Sequence, residues 1–517
     1  MNIILKTVIL ILAVIGLHSS TMAQVYNEYI TKCTEEPYLG MEAFVTTGAE
    51  NGAVLVSGNL INQKGNPLFV SKYNKNGGLD WTYEFDFKEE QFKNLIFRPS
   101  SIKVTYPNGH TVVVGNIEDT FFQTGAIFVI RLNQNGDLIY QRIHECLDDF
   151  YLEEPENYMV CNKLIVNDVQ ANLDNSLVLA GYVQDKENGN RKGILIALDD
   201  QGRPVNGLIK SITHKGFKNG EILRVNSLYN GGYIALIRNE LNGYSEYKDG
   251  PPTLVRLDAS FNTVWSKEIR TADFDAYEPV DLAISPSFEN IYVLGFKGKY
   301  QCISKVTTDG AMVWTKYYNT TKMTDGDVLV GIPKFACDRE DNLYVAFDLP
   351  DISREIEKRD QVTAYKVKND GLVIWQKQYN YNKHWTYLGG VTMVLNDDVW
   401  GPTQDFVMVG TEIRDYSDPE VNGWMARVRT ANGTTDCDNT SYNLTVTTWP
   451  YGAYNFENEI FRTFLSDVEP KLDRNEPAVM LNKCSDENFH GLLPKNKLIE
   501  NVRTPIGLES QLSLFPN

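Results

Sequence analysis

The stretch "KVTTDGAMVWTKYY", residues 305–318, joins an apolar-alternating run to a polar Asp-Gly turn, and a tryptophan follows the glycine by four residues. Asp-Gly supplies the positive φ that a tight hairpin requires, and glycine adopts it without a Cβ penalty. The flanking residues alternate as strand residues do. The stretch therefore predicts a β-hairpin whose second strand carries Trp314 as a large apolar side chain.

Similar sequence motifs recur along the chain, with their turns at positions 77, 136, 202, 261, 310, 371 and 433. Three repeats depart from the pattern, because Asn206 and Cys437 occupy the aromatic slots of the third and the seventh and Phe261 the glycine slot of the fourth. A short β-branched or aromatic run precedes each turn, as in "NGHTVVVG", and an apolar run lies upstream of most of them. Each unit is thus predicted to contain four short strands.

Seven such units, spaced by roughly 50 to 65 residues, predict an all-β protein: a seven-bladed β-propeller of four-stranded antiparallel blades over residues 41–445. The recurring tryptophan is interpreted as a packing residue between blades, with a ligand-stacking role as the alternative. On that interpretation Trp314→Ala is expected to cost about 3–5 kcal/mol, as for a buried large aromatic.

The N-terminus has the layout of a secretory signal peptide over residues 1–23, with Lys6, the apolar run "TVILILAVIGL" and small residues before Gln24. The apolar run is shorter than the ~20 residues of a membrane span. Residues 24–40 would form an N-terminal segment of the mature chain. Removing residues 1–23 would move the net charge from -18 to about -19, which argues against nucleic acid as a partner. No later segment is predicted to span a membrane.

Seven cysteines in an exported chain permit disulfides and leave at least one thiol unpaired. Cys146 and Cys161 bracket a short acidic segment and are the first candidate pair. Cys437 and Cys484 both lie near the C-terminus and are the second. Spacing alone does not determine the connectivity.

The repeats resemble those of exported β-propeller proteins of the Bacteroidetes, in which an apolar-Lys-x-Asp-x-x-Gly-x-x-x-Trp phrase is followed by "DGGY" and an apolar strand. "NGGYIALI" is similar to the second half of that pattern. The likeness covers about residues 41–437 and implies architecture, not activity. The sialidase Asp-box does not match, because Asp309 and Gly310 are adjacent in "TTDGAMVW".

Beyond the last repeat, residues 446–510 are predicted to be an extension that packs on the propeller or acts as a linker. The closing "SLFPN", within residues 511–517, resembles the start of a type IX secretion sorting domain. That resemblance implies export through the type IX machinery to the outer face of a Gram-negative outer membrane, as a secreted or cell-surface protein. An ordinary polar tail is the alternative.

Ligand-binding candidates come from the long, variable loops that a propeller gathers on one face. Exposed aromatics with polar neighbours suit sugar stacking or a protein interface. Mutually repelling carboxylates in the segment between Cys146 and Cys161 favour a loop that binds a basic partner, with salt-dependent association. The candidates are Phe121, Phe122, Tyr244, Tyr247, Tyr277, Trp385 and Tyr416, with the acidic Asp148, Asp149, Glu153 and Glu154.

No nucleophile elbow, zinc motif or EF-hand loop occurs, so the sequence predicts no catalytic residue, metal or cofactor. The predicted function is a non-catalytic module that binds protein or glycan through the loop-rich face, as an adhesin or a subunit of a surface assembly. The alternative is a propeller hydrolase or lyase that acts on polysaccharide through loop carboxylates.

Overall fold

A computed structural model describes 22 segments of the chain with strand or turn geometry. These segments are residues 27–32, 40–61, 67–85, 95–119, 125–146, 161–185, 189–214, 219–240, 250–271, 277–297, 300–319, 332–349, 361–379, 385–398, 401–413, 421–435, 440–441, 445–448, 451–455, 458–462, 465–468 and 478–482. The predicted signal peptide and sorting segment lie outside them. The described residues contain no helix long and apolar enough to cross a membrane.

The N-terminal strand β1 spans Asn27–Lys32, and the first three blades follow it as antiparallel meanders. Their strands are β2 (Gly40–Gly48), β3 (Val54–Ile61), β4 (Leu68–Tyr73) and β5 (Leu79–Phe85), then β6 (Leu95–Thr105), β7 (His110–Asp119), β8 (Gly125–Leu132) and β9 (Leu138–Cys146), then β10 (Cys161–Ala171), β11 (Leu177–Asp185), β12 (Arg191–Leu198) and β13 (Pro204–His214). A single 3-10 turn, Glu50–Gly52, links β2 to β3.

Three more four-stranded blades and one three-stranded meander complete the repeats. Their strands are β14 (Asn219–Ser227), β15 (Tyr233–Glu240), β16 (Thr253–Leu257) and β17 (Thr263–Thr271), then β18 (Glu278–Ile284), β19 (Asn290–Lys297), β20 (Tyr300–Thr307) and β21 (Met312–Asn319), then β22 (Lys334–Cys337), β23 (Leu343–Leu349), β24 (Gln361–Val367) and β25 (Val373–Tyr379), then β26 (Trp385–Asp398), β27 (Gly401–Ile413) and β28 (Val421–Arg429).

The ring closes with strands from both ends of the repeats. Each blade's first strand contacts the first strand of the next blade, and β26 contacts β2. Strand β1 pairs antiparallel with β28 and so supplies the fourth strand of the last blade, although the sequence analysis placed residues 24–40 before the propeller. Within the described residues, seven buried apolar clusters lie between neighbouring blades. The predicted all-β propeller fold is confirmed.

Six short strands from the C-terminal region form a belt around the outside of the ring. They are β29 (Thr440–Ser441), β30 (Thr445–Thr448), β31 (Tyr451–Asn455), β32 (Asn458–Arg462), β33 (Leu465–Val468) and β34 (Ala478–Asn482). In that order they pair with β25, β21, β17, β13, β9 and β1, each as a fifth strand. The belt covers strand edges that would otherwise be open to association.

Strand twist explains how one chain reaches successive blades. Neighbouring strands are rotated by about 20–25°, so a fifth strand is rotated by about 80–100° relative to the first. The first strands run along the channel, and the fifth position therefore runs around the circumference. From β29 to β33, consecutive belt strands are therefore separated by only two or three residues, although each pairs with a different blade.

Contacts between neighbouring blades explain why the same residue pattern recurs around each turn. In four blades a basic side chain before the turn and the tryptophan after it donate to one carbonyl of the next blade's turn. At one such interface Lys305 Nζ and Trp314 Nε1 lie 3.3 and 3.2 Å from Asn369 O. At the next, Lys366 Nζ and Trp375 Nε1 lie 3.3 and 3.0 Å from Thr430 O. The interpretation of these tryptophans as packing residues between blades is confirmed.

Glycine in the turn allows the positive φ of the backbone, and it also makes room for the packing between blades. Gly433 has φ +71°, and a Cβ there would lie 2.6 Å from the Trp375 ring. Gly136 has φ +83°, and a Cβ there would lie 2.7 Å from Trp81. These two glycines, and Gly202 beside Tyr140, thus leave room for the preceding blade's aromatic ring, whereas Gly371 faces the Lys316 side chain.

Two of the exceptional repeats, the third and the fourth, meet at one interface between their blades. Phe261 adopts φ +61° in the glycine slot, is 1% exposed, and belongs to the buried cluster against which the partly buried Val205 and Leu208, flanking position 206, pack. The ring of Tyr233 contacts it edge-on at 5.5 Å. At this interface the Phe261 ring, from the turn of the fourth blade, therefore occupies the space that the preceding blade's tryptophan occupies at other interfaces.

Trp314→Ala should lower the free energy of unfolding by about 2 kcal/mol, less than the sequence predicted. The Trp314 ring is partly exposed, and its contacts are the Asn369 carbonyl and the Tyr292 ring at 6.3 Å. Urea denaturation would measure the loss. An unchanged melting temperature with loss of ligand binding would instead assign Trp314 to a ligand site.

Candidate functional site

One position on the first strand of every blade faces its neighbours around the channel. Blade by blade, this residue pairs with position 57, 114, 180, 236, 294, 346 or 409 of the second strand. The channel ring defined in this way consists of Val45, Ser101, Asp168, Arg224, Asp281, Lys334 and Gly390. Four consecutive members alternate in charge, inside a propeller whose inter-blade layers are apolar.

The first carboxylate of the ring is held by the blades on both sides. Asp168 is 3% exposed, and its Oδ1 accepts a hydrogen bond from Ser101 Oγ at 2.8 Å. Its Oδ2 accepts from the Val225 backbone N–H at 3.1 Å. Both oxygens therefore have partners, as a buried carboxylate requires.

The Asp281 carboxylate is also held by the blades on both sides, but its side-chain donor is the Arg224 guanidinium and not a serine hydroxyl. Arg224 Nε donates to Asp281 Oδ1 at 2.6 Å, and the Phe335 N–H donates to Asp281 Oδ2 at 3.3 Å. Arg224 also donates to the Asn167 and Leu223 carbonyls. Charge-assisted bonds of this kind hold the first strands of the fourth and fifth blades in register.

Lys334 differs from the other charged members of the ring. None of the described residues forms a hydrogen bond or ion pair with its ammonium. Burial and the Arg224 guanidinium lower the pKa of Lys334 to about 8. The Asp281, Asp168 and Asp348 carboxylates act in the opposite direction. Because Asp168 lies three blades away, its interaction with the Lys334 ammonium runs across the channel.

The first strands of the blades begin at the loop-bearing face of the propeller. In an antiparallel meander, the links between blades and the links between second and third strands share one face. Strand β22 begins at Lys334, but its partner Ala346 lies in the middle of β23, so Lys334 is at mid-height of its blade, as the other ring residues are. Two register positions nearer the loop-bearing face, Arg238 pairs with both Glu221 and Glu278, the latter at 2.9 Å. This cluster of one cation and two carboxylates therefore lies between the ring and that face.

The structure describes few of the binding residues predicted from sequence. Tyr277 is 2% exposed and donates to Ser304 Oγ at 2.8 Å, so its predicted role as an exposed loop aromatic is wrong. It is a core residue because its ring covers Gly295, where a Cβ would lie 2.4 Å away. Trp385 begins β26, with only its backbone described. The others lie outside the described residues: Phe121, Phe122, Asp148, Asp149, Glu153, Glu154, Tyr244, Tyr247 and Tyr416.

The cysteine pairings remain predictions. Cys146 ends β9 and Cys161 begins β10, and these strands belong to adjacent blades. Cys437 and Cys484 lie outside the described residues. Cys302 and Cys337 are free thiols, and burial raises the pKa of both.

The channel ring was missed in the sequence because its members never stand together. Each is a single residue within an upstream apolar run, as Asp281 is in "PVDLAISP" and Arg224 in "EILRVNS". The available signal was a charged or hydroxyl residue 12 or 13 positions before its partner in the second strand of five successive blades. It becomes visible only once the strand register is known.

Comparisons with known proteins show that this chain is similar to others in fold only. No protein-family model matches it. No curated protein matches its sequence.

Several solved structures are similar to this chain at low sequence identity. An α-L-arabinofuranosidase from Fusarium graminearum is 14% identical over 68% of this chain and 99% of its own, with a TM-score of 0.43. The Dos1 propeller is 10% identical over 78% and 94%, with a TM-score of 0.42. A Bacteroides caccae protein of unknown function is 10% identical over 68% and 93%, with a TM-score of 0.34.

The prediction that the protein is not an enzyme is wrong. The structures similar to this chain include a glycoside hydrolase, the arabinofuranosidase. The prediction rested on repeats that serve packing and on missing nucleophile motifs, and neither bears on residues in loops. A fold supports many activities, and at these identities it assigns none to this chain.

Proposed function

We propose that the protein is an exported or surface-attached β-propeller that binds a glycan or a protein at its loop-bearing face, with the channel ring as the polar floor of the site. The observation that carries this proposal is Lys334, a cation of the channel ring with no partner among the described residues. The predicted loop aromatics would contact the ligand above the ring. Residues 1–23 and 511–517 support export, with the type IX machinery as the route.

A second candidate is a hydrolase or lyase acting on polysaccharide at the same site. Its support is the Lys334 pKa of about 8, which would let the amine exchange a proton near neutral pH. Either function would place the ligand on the same face of the propeller.

A glycan array and a pulldown from outer-membrane extract would test binding, with turnover of each bound polysaccharide measured in parallel. Lys334→Met should reduce capture of the ligand. The matched control is Lys368→Met, because Lys368 lies at a turn on the opposite face, 58% exposed and 3.8 Å from Asp370. Equal loss in both variants, or no capture by the wild type, would refute the proposed site. Turnover lost in Lys334→Met would favour the enzyme.

A further inference from the structure

Four exposed apolar side chains lie on the face of the propeller opposite to the loops. They belong to the turns between first and second strands, which surround the channel because the first strands line it. We call Tyr106, Leu173, Tyr229 and Phe288, from the second to the fifth blade, the apolar rim. Tyr229 is 90% exposed and Leu173 82%, in turns where small and polar residues usually predominate.

The size of the apolar rim is that of a functional surface patch. At about 200 Å² for a large side chain, its four members together expose on the order of 500 Å². Patches of about 300–600 Å² on a monomer are often functional. The apolar rim is therefore large enough to contact a partner.

The turns that carry the apolar rim contact one another around the channel. Asn108 Nδ2 donates to Asn175 Oδ1 at 3.3 Å, which joins the turns of the second and third blades. Asn172 Nδ2 donates at 3.0 Å to a tyrosine hydroxyl of the fourth blade. The centroids of the Tyr229 and Phe288 rings are 6.1 Å apart. The four side chains thus lie along one arc of connected turns.

Phe288 is the member of the apolar rim that packing within the chain explains least. Its φ is +59°, in the left-handed region that a bulky residue adopts at an energetic cost. Asn175 and Gly231 hold the same turn position in the third and fourth blades. Phe261 has a similar φ but is 1% exposed, so burial of its ring offsets the cost, whereas Phe288 is 40% exposed. A partner that covers the Phe288 ring would supply the burial that the chain itself does not.

The charges around the apolar rim define the partner. Among the described residues, the first-to-second-strand turns of the first six blades expose four carboxylates and one cation: Glu50, Asp174, Glu289 and Glu340, with Arg339. The net charge of the chain is -18. A second copy of this face would therefore meet it with like charges, and nucleic acid or anionic lipid would also be repelled. Electrostatic complementarity favours a basic surface.

We propose that the apolar rim binds a partner protein through a segment that places apolar side chains between lysines or arginines. The apolar rim and the loops lie on opposite faces of the propeller. The interaction is therefore independent of the proposed ligand site and leaves the loop-bearing face accessible.

The test is fluorescence anisotropy of short labelled peptides titrated with the full chain. The first peptide has leucines flanked by lysines, the second has glutamates in place of the lysines, and the third has serines in place of the leucines. Wild type should bind the leucine–lysine peptide in preference to the other two. Its affinity should fall as the salt concentration rises, because salt screens exposed charges.

The double variant Leu173→Ser/Tyr229→Ser should weaken binding of the leucine–lysine peptide at least about tenfold, a loss of ~1.4 kcal/mol. Both side chains are exposed, so the melting temperature should stay close to that of wild type. Ile332→Ser is the matched control, because Ile332 is 61% exposed in a link between blades on the loop-bearing face. It should bind the peptide as wild type does.

Phe288→Asn separates binding from packing. Asparagine tolerates the left-handed region, as Asn175 does in the third blade. The variant should therefore keep the wild-type melting temperature or exceed it, while its affinity for the leucine–lysine peptide falls. A lower melting temperature with unchanged affinity would make Phe288 a packing residue and contradict the proposal.

Three further results would overturn the apolar rim as a site for a basic partner. The first is equal binding of the serine–lysine peptide, which would show attraction to net charge only. The second is equal or tighter binding of the leucine–glutamate peptide, or no binding of the leucine–lysine peptide. The third is self-association of wild type in sedimentation that Leu173→Ser/Tyr229→Ser abolishes, which would assign the apolar rim to a second copy. Capture of a ligand at the loop-bearing face is measured separately, so failure here leaves the proposed function standing.

Discussion

Arg427→Met should lower the free energy of unfolding by about 4 kcal/mol, as removal of one partner of a buried ion pair does. Arg427 is fully buried in the seventh blade, and its Nε donates to Asp405 Oδ2 at 2.8 Å. Its Nη1 donates to the Gly52 and Lys75 carbonyls, both at 2.9 Å, in the first blade. The substitution would leave one carboxylate and two carbonyls without these donors at the closing interface of the ring.

Urea denaturation with linear extrapolation measures this loss. Arg203→Met is the matched control, because Arg203 is exposed, and its effect should stay within about 0.5 kcal/mol. If Arg427→Met cost less than about 1 kcal/mol, ring closure would depend on β1 and the apolar layers and not on this arginine.

Phe261→Gly should cost about 3 kcal/mol, although it removes a strained residue. Loss of a buried aromatic costs about 3–5 kcal/mol, and relief of φ +61° returns about 1 kcal/mol. The net loss follows from an unfilled space between the third and fourth blades. Thermal and urea unfolding of the variant would measure it.

A double-mutant cycle tests whether Phe261 replaces the missing tryptophan. Asn206→Trp alone should destabilise, because Phe261 already occupies the space. Combined with Phe261→Gly it should recover stability, with a coupling energy of about 1 kcal/mol or more. Additive effects would show that the third and fourth repeats depart from the pattern independently.

The candidate site was predicted less well than the fold. Candidates chosen as exposed loop aromatics included Tyr277, whose place in the core depends on Gly295 in the neighbouring strand and not on its own loop. The ring residues Asp168, Arg224, Asp281 and Lys334 are separated by roughly 50 to 60 residues. No local pattern marks them as neighbours, because each looks like an isolated polar residue in an apolar run.

The sequence by itself determined the blades, because a turn is specified by residues that lie within about five positions of one another. Asp-Gly at the bend and Trp four residues later need no distant partner to form a hairpin. Tertiary structure decided which side chains meet. Only closure of the ring brings Arg427 to Lys75, sets Phe261 beside position 206 and leaves Lys334 without a partner among the described residues. Such contacts depend on strand register and on the order of blades around the channel, which no short stretch of the chain encodes.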